Sequence, residues 1–144
     1  MLIGEYTHTL DPKKRLSLPA KFRKELGEKI IVTRGLDSCL FIFSEKAWEG
    51  FAEKFRALSL GQGSARDFNR FVLAGAVESE VDGAGRILIP DFLKSFAKLS
   101  SKVVLAGVGD RVEVWDAALW HEHTARIEKQ ADALAEKLGE MGVL

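Results

Sequence analysis

Two short segments of the chain share the pattern Asp-x-x-x-Arg, and their residue types suit the binding of an anion. The first runs from Asp11 to Arg15 with the sequence DPKKR, and the second from Asp82 to Arg86 with the sequence DGAGR. An aspartate at the start of a turn can hold the loop by accepting backbone N–H bonds. Arginine presents a planar fork of donors that fits phosphate or the O6 and N7 atoms of guanine. Each loop is therefore predicted to hold its positively charged arginine side chain in a fixed position.

Turn geometry alone would explain either loop by itself, with the arginine as a solvated residue at the start of a strand. The retention of both Asp and Arg, while the three residues between them differ completely, favours a functional role for the pair. Lys13 and Lys14 make the first loop more basic, and Lys21, Arg23 and Lys24 follow it closely in sequence. We expect the first loop to supply more phosphate attraction. The second loop, with Gly83 and Gly85, should allow closer backbone approach.

The two loops belong to an internal repeat that covers the chain. Gly, Asp, Arg and Pro at positions 4, 11, 15 and 19 recur at positions 75, 82, 86 and 90, and after a one-residue insertion Trp48 matches Trp120. A fixed offset of this kind identifies two copies of one folding unit. We assign the copies to residues 1–62 and 63–144 and expect them to form one compact body.

Each copy reads as strand, polar turn, strand, one-turn helix, strand, turn, strand and closing helix. The alternation of apolar and polar residues before each loop is the period of a half-buried strand. Ser44 and Asp116 are placed to cap the closing helices. The second closing helix is predicted to carry an apolar stripe of six residues, namely Leu119, Trp120, Ile127, Ala131, Leu134 and Leu138. Its mixed acidic and basic residues indicate a solvated helix, with a role in oligomerisation left open. Trp48 and Trp120 are interpreted as core residues.

Composition excludes several classes of protein. The 21 Lys and Arg residues balance 21 Asp and Glu residues, so any DNA binding must come from local charge segregation. Cys39 is the one cysteine, which rules out an intramolecular disulfide framework and a four-cysteine zinc site. The N-terminal residues do not have the pattern of a secretory leader, and no apolar run is long enough to span a membrane, so a cytoplasmic location is expected.

The sequence offers little support for an enzyme. His121 and His123 lack a third placed ligand and are expected to be surface residues rather than metal ligands. His8 is expected to be a core histidine, and Cys39 lies in a hydrophobic run that favours burial. A phosphate-cradling glycine-rich motif is absent. We therefore expect no enzymatic activity, no cofactor and no metal site.

These motifs together resemble the MraZ family and, through it, the swapped-hairpin transcription factors related to AbrB. The resemblance rests on the opening Gly4-Glu5-Tyr6, both Asp-x-x-x-Arg loops, the RILIP segment at 86–90 and the paired tryptophans. It implies an α+β, β-rich fold in which two half-chains form a pseudo-dimeric, double-split β-barrel of swapped hairpins with flanking helices. It also implies that the loops contact DNA, with Arg15 and Arg86 as the principal residues and with Lys13, Lys14, Asp11 and Asp82 beside them.

The resemblance further implies a sequence-specific regulator of transcription. Its partner would be double-stranded DNA carrying direct repeats upstream of the division and cell wall gene cluster, including the protein's own gene. The chain would assemble with itself into a ring of eight or more subunits and would be cytoplasmic and associated with the nucleoid. An alternative remains open, namely a structural or protein-binding ring whose basic loops engage an acidic protein. Steep salt dependence combined with sequence preference in DNA binding would distinguish the first function from the second.

Overall fold

The strands and helices follow the order predicted for two copies of one unit, with one additional helix between them. A computed structural model describes all 144 residues. The first copy contains β1 (Leu2–Thr9), β2 (Arg15–Ser17), α1 (Ala20–Leu26), β3 (Lys29–Arg34), β4 (Leu40–Ser44) and α2 (Glu45–Arg56). The connecting helix is α3 (Gly63–Val72). The second copy contains β5 (Val77–Glu80), β6 (Arg86–Leu88), α4 (Asp91–Phe96), β7 (Lys102–Gly109), β8 (Val112–Asp116) and α5 (Ala117–Glu140).

Both sheets combine strands from the two copies. The six-stranded sheet has the order β1-β7-β8-β4-β3-β5, and β2 pairs with β6 in a separate two-stranded ribbon. All of these pairings are antiparallel. The first strand of each copy therefore pairs with the third strand of the other copy, and the sheet order reads the same from either end when equivalent strands are exchanged. The α+β class predicted from the sequence is confirmed.

The core lies between the two sheets and the short helices. Nineteen buried residues form one cluster with members from both copies, including Leu16 and Ile87 on the inner face of the β2–β6 ribbon. The run Ile30-Ile31-Val32 in β3 is buried throughout, as expected for a strand covered on both faces. Because the two copies share this cluster, neither copy has a complete core of its own.

A second, aromatic cluster anchors the closing helices. Cys39, Phe41, Phe43 and Trp115 are buried, and Trp48 and Trp120 pack against them. Trp115 and Trp120 meet edge to face with ring centroids 5.5 Å apart. Trp48 and Trp120, interpreted as core residues, are confirmed as packing against this cluster but are only half-buried.

The apolar stripe predicted for α5 lies against the rest of the chain only in the first turns of the helix, and the remainder is solvated, as its charged residues indicate. The Asp116 side chain caps the helix by accepting a bond from the Leu119 amide at 3.3 Å, as predicted. Farther along, Ile127, Leu134 and Leu138 are 41%, 43% and 40% exposed, and α5 has no buried residue. A helix of 24 residues is about 36 Å long, which is longer than the surface available beneath it. No helix in the structure has the length and apolar character required to cross a membrane.

Candidate nucleic-acid interface

The first loop is held by three hydrogen bonds to one carboxylate. Asp11 Oδ1 accepts from the backbone amides of Lys13 and Arg15, each at 2.9 Å. The other oxygen, Oδ2, accepts from Arg15 Nε at 2.8 Å. The aspartate therefore fixes both the backbone of the turn and the direction of the arginine side chain.

The second loop repeats this arrangement atom for atom. Asp82 Oδ1 accepts from the amides of Ala84 and Arg86 at 2.9 Å, and Asp82 Oδ2 accepts from Arg86 Nε at 3.0 Å. None of the three intervening residues matches those of the first loop. The shared geometry thus depends on the Asp and Arg that the two loops have in common.

Both turns require one residue with positive φ, and the two copies fill that position differently. Lys14 adopts φ 63° in the first loop, and Gly85 adopts φ 79° in the second. In each case the amide donates to the backbone oxygen of the preceding aspartate at 2.9 Å. A left-handed conformation is costly for lysine and free for glycine, so the first loop bears backbone strain that the second loop avoids.

The aspartates remain ionised and leave part of each arginine available. The hydrogen bond from the Arg15 backbone amide is the main cause that lowers the pKa of Asp11, and the Arg86 amide does the same for Asp82. Because Nε of each arginine is bonded to its aspartate, the two terminal Nη groups are the donors left for a ligand. Each arginine side chain is 33% exposed.

The β2–β6 ribbon brings the two arginines onto one surface. Arg15 lies opposite Leu88 and Ser17 lies opposite Arg86 in the antiparallel register. Opposite residues project to the same side of a ribbon, so both arginines share the face that is turned away from the core. Diagonal neighbours of this kind are separated by about 7–8 Å. The six candidate residues therefore lie at the two ends of one short ribbon.

The helix that follows each ribbon strand contacts the loop of the other copy. Asp91, at the start of α4, forms an ion pair with Lys14 Nζ. Arg23, on α1, lies across Gly85, where an added Cβ would stand 2.6 Å from Arg23 Cζ and 2.9 Å from Cδ. The difference in positive charge between the two loops is therefore smaller than the sequence order indicates, and the stronger phosphate attraction expected of the first loop stays a prediction. Lys14 of the first loop is paired with the Asp91 carboxylate. Arg23, which follows the first loop in sequence, lies at the second loop.

Arg23 is the residue of this surface that sequence reasoning misplaced. Its Nε atom is buried without a hydrogen-bond partner, and Gly85 beneath it is buried as well. The one available signal was Gly85 itself, because a glycine at a position where the other copy has lysine indicates that something approaches closely.

The residues considered for other chemistry are not arranged for it. No group of three or more His, Cys, Asp and Glu side chains is placed to hold a metal ion. The His123 ring packs on Trp115, with centroids 4.9 Å apart. Cys39 is buried and its Sγ lies 3.1 Å from the Leu36 carbonyl oxygen, and burial raises the pKa of this thiol. The expectation of a core position for His8 is wrong, because β1 is an edge strand and His8 is half-exposed.

Comparison with known proteins gives matches over nearly the whole chain. The family model described as "MraZ protein, putative antitoxin-like" matches twice, over residues 1–71 and 72–140. A protein of Caldanaerobacter subterraneus subsp. tengcongensis named "Transcriptional regulator MraZ" is 47% identical over 99% of this chain and its own full length. Proteins with the same name from Carboxydothermus hydrogenoformans and Oenococcus oeni are each 48% identical over 96% of both chains.

Proposed function

The chain belongs to the MraZ family, and we propose that it is a sequence-specific DNA-binding regulator of transcription that uses the Asp11–Arg15 and Asp82–Arg86 loops. One observation carries the proposal: two arginines, each held by its own aspartate, share the outer face of one ribbon. The names of the relatives describe regulators rather than enzymes, and we propose no catalytic activity.

The dimensions of the ribbon suit the major groove of DNA. A two-stranded antiparallel ribbon fits a groove about 12 Å wide. The arginine separation of about 7–8 Å corresponds to roughly two base-pair steps. With Nε held by aspartate, the remaining Nη donors of Arg15 and Arg86 are available to guanine edges or phosphates. Lys13 adds a phosphate contact beside Arg15.

The exchange of strands between copies supports the finer description of the fold as a pseudo-dimeric double-split barrel of swapped hairpins. Each loop joins a strand of the large sheet to a strand of the ribbon, and the partner strand in both sheets comes from the other copy. In this description, residues 1–62 and 63–144 are the two repeats of one body, with the connecting helix α3 counted in the second.

We place the target sites in direct repeats upstream of the division and cell wall gene cluster, which includes the protein's own gene. A single arginine–guanine contact contributes only about 1–3 kcal/mol, so several subunits acting on successive repeats would be needed for high occupancy. A ring of eight or more copies meets this requirement. Such a protein would be found in the cytoplasm, at the nucleoid.

The test is a titration of a fluorescent duplex from upstream of the protein's own gene, with and without unlabelled random DNA, at two salt concentrations. The wild type should still bind the labelled duplex when unlabelled random DNA is present, and its affinity should weaken steeply as the salt concentration rises. Arg15→Ala and Arg86→Ala should each weaken binding by about tenfold to a hundredfold while leaving the fold and assembly intact.

Arg70→Ala is the matched control, because Arg70 is an exposed arginine on α3 that is also paired with an aspartate, Asp67, at 2.8 Å. It changes the net charge by the same amount but lies outside the loops. Equal weakening by all three variants would show that only overall charge matters. Wild-type binding that does not distinguish the upstream duplex from random DNA would contradict the proposal and would favour an acidic protein as the partner of the loops.

A further inference from the structure

The outer face of the ribbon holds four side chains, and only two of them are the arginines. Arg15 lies directly opposite Leu88, and Arg86 lies directly opposite Ser17. Cβ atoms of opposite residues in an antiparallel pair are about 4.5–5.5 Å apart. Any base edge that meets one of these arginines must therefore also meet the residue across the ribbon from it.

The two copies differ at this neighbouring position. Ser17 and Leu88 are equivalent in the repeat, since each stands two residues after the loop arginine and two before a proline. Leu88 is 54% exposed, although Ile87 and Ile89 on either side of it are buried. A leucine on the outward face adds nothing to the core, and in the first copy a small polar residue occupies the same place without disturbing the strand.

We infer that Leu88 is a specificity-determining residue that contacts the C5-methyl group of a thymine next to the base pair contacted by Arg15. This inference rests on the proposed function. The thymine methyl is the apolar group that the major-groove edge of a base pair presents, and apolar side chains recognise it by contact. A purine would place Leu88 against polar groups that lose water without gaining a partner, and cytosine has no methyl group for it to contact.

The half of the surface around Arg86 has no such preference, because Ser17 can donate to or accept from any base edge. One chain therefore binds an asymmetric site. The half at the first loop requires guanine and thymine, and the half at the second loop requires guanine but no thymine methyl group. A directional unit is suited to direct repeats, since every subunit of an assembly then binds its element in the same orientation.

The first experiment is selection of binding sequences from a randomised duplex pool by the wild type, Leu88→Ser and Ser17→Leu. The wild type should select an asymmetric element with thymine beside one guanine. Leu88→Ser should keep the guanines and lose the thymine, whereas Ser17→Leu should gain a second thymine in the other half and make the element more nearly palindromic. Leu60→Ser, at an exposed leucine on the α2–α3 loop, is the matched control and should select the wild-type element.

The second experiment replaces that thymine by uracil in the selected duplex, which removes only the methyl group. Wild-type affinity should fall about fourfold, as expected for one buried methyl-sized group, and Leu88→Ser should bind both duplexes equally. Equal wild-type binding to the two duplexes, or an unchanged thymine preference in Leu88→Ser, overturns the inference while the proposed function stands. Failure of the wild type to select any element overturns both.

Discussion

Replacing Gly85 by alanine would show whether the second loop depends on its contact with α1. Gly85 has φ 79°, and its backbone oxygen accepts from the Leu18 amide at 2.9 Å, so the residue joins the loop to the ribbon. An alanine Cβ would stand 2.6 Å from Arg23 Cζ and 2.9 Å from Cδ. Arg23 would have to leave its place over the loop, and the backbone would be strained whether or not it did.

The expected destabilisation has two parts. The left-handed conformation costs a non-glycine residue about 1–2 kcal/mol, and forcing Arg23 into a poorer rotamer costs about 0.5–1.5 kcal/mol. Together they lower the free energy of unfolding by about 2 kcal/mol, and at about 3 °C per kcal/mol for a chain of this size the melting temperature falls by about 6 °C. Lys14, at the equivalent position, has φ 63° and bears the first of these costs.

Thermal melts of a double-mutant cycle separate the two parts. In an Arg23→Ala background, Gly85→Ala should cost only the backbone part, so the coupling between the two positions should be about 1 kcal/mol. Gly83→Ala is the control, since it lies in the same loop, has an ordinary φ and has no atom within 4 Å of an added Cβ. If Gly85→Ala is as mild as Gly83→Ala, or costs the same with and without Arg23, the packing described for this loop is incorrect.

Two further outcomes are expected. Asp116→Ala should destabilise the protein by about 2 kcal/mol, and Ser44→Ala, at the equivalent cap, by about 1 kcal/mol. The loss is larger at Asp116 because its side chain also accepts hydrogen bonds from the amide and the hydroxyl of Ser100. Urea unfolding measures both losses, and equal values would contradict a stabilising role for the Ser100 bonds. The pKa values of Asp11 and Asp82 are lowered from 3.8, so their stabilising contribution is present above that value and is lost as pH falls through the lower, folded-state pKa. An NMR titration of the carboxyl carbons should find both groups ionised from weakly acidic to neutral pH. A titration midpoint above 3.8 for either aspartate would refute the hydrogen bonds assigned to it.

Local structure could be predicted from the sequence because its causes are local. The two helix caps, the β3–β4 hairpin and the aspartate contacts in both loops depend on residues within a few positions of one another. Gly27 ends α1 with φ 84°, a backbone conformation that glycine adopts without strain. In each case one residue type satisfies a backbone requirement that is visible within a short window.

The limits of sequence reasoning lie where distant segments meet. Arg23 was assigned to the first loop because it follows that loop in sequence, yet strand exchange carries α1 to the second. The helical, apolar spacing predicts the α5 stripe, but periodicity does not show how far a partner surface extends beneath the helix. Both features depend on contacts that only the assembled sheets determine.

Fusion of the two copies in one chain has a physical consequence for recognition. In a symmetric homodimer the two loops, the two ribbon strands and the two supporting helices must be identical. Here the equivalent positions have diverged: Lys14 pairs with Asp91 on one side, whereas Gly85 lies beneath Arg23 on the other. The aspartate–arginine geometry is the same at both ends, so each arginine is held in the same way by its own loop. The fold thus keeps the aspartate–arginine geometry the same at both ends and leaves the residues around it free to differ, so the two ends of the surface need not be alike, as they must be in a homodimer.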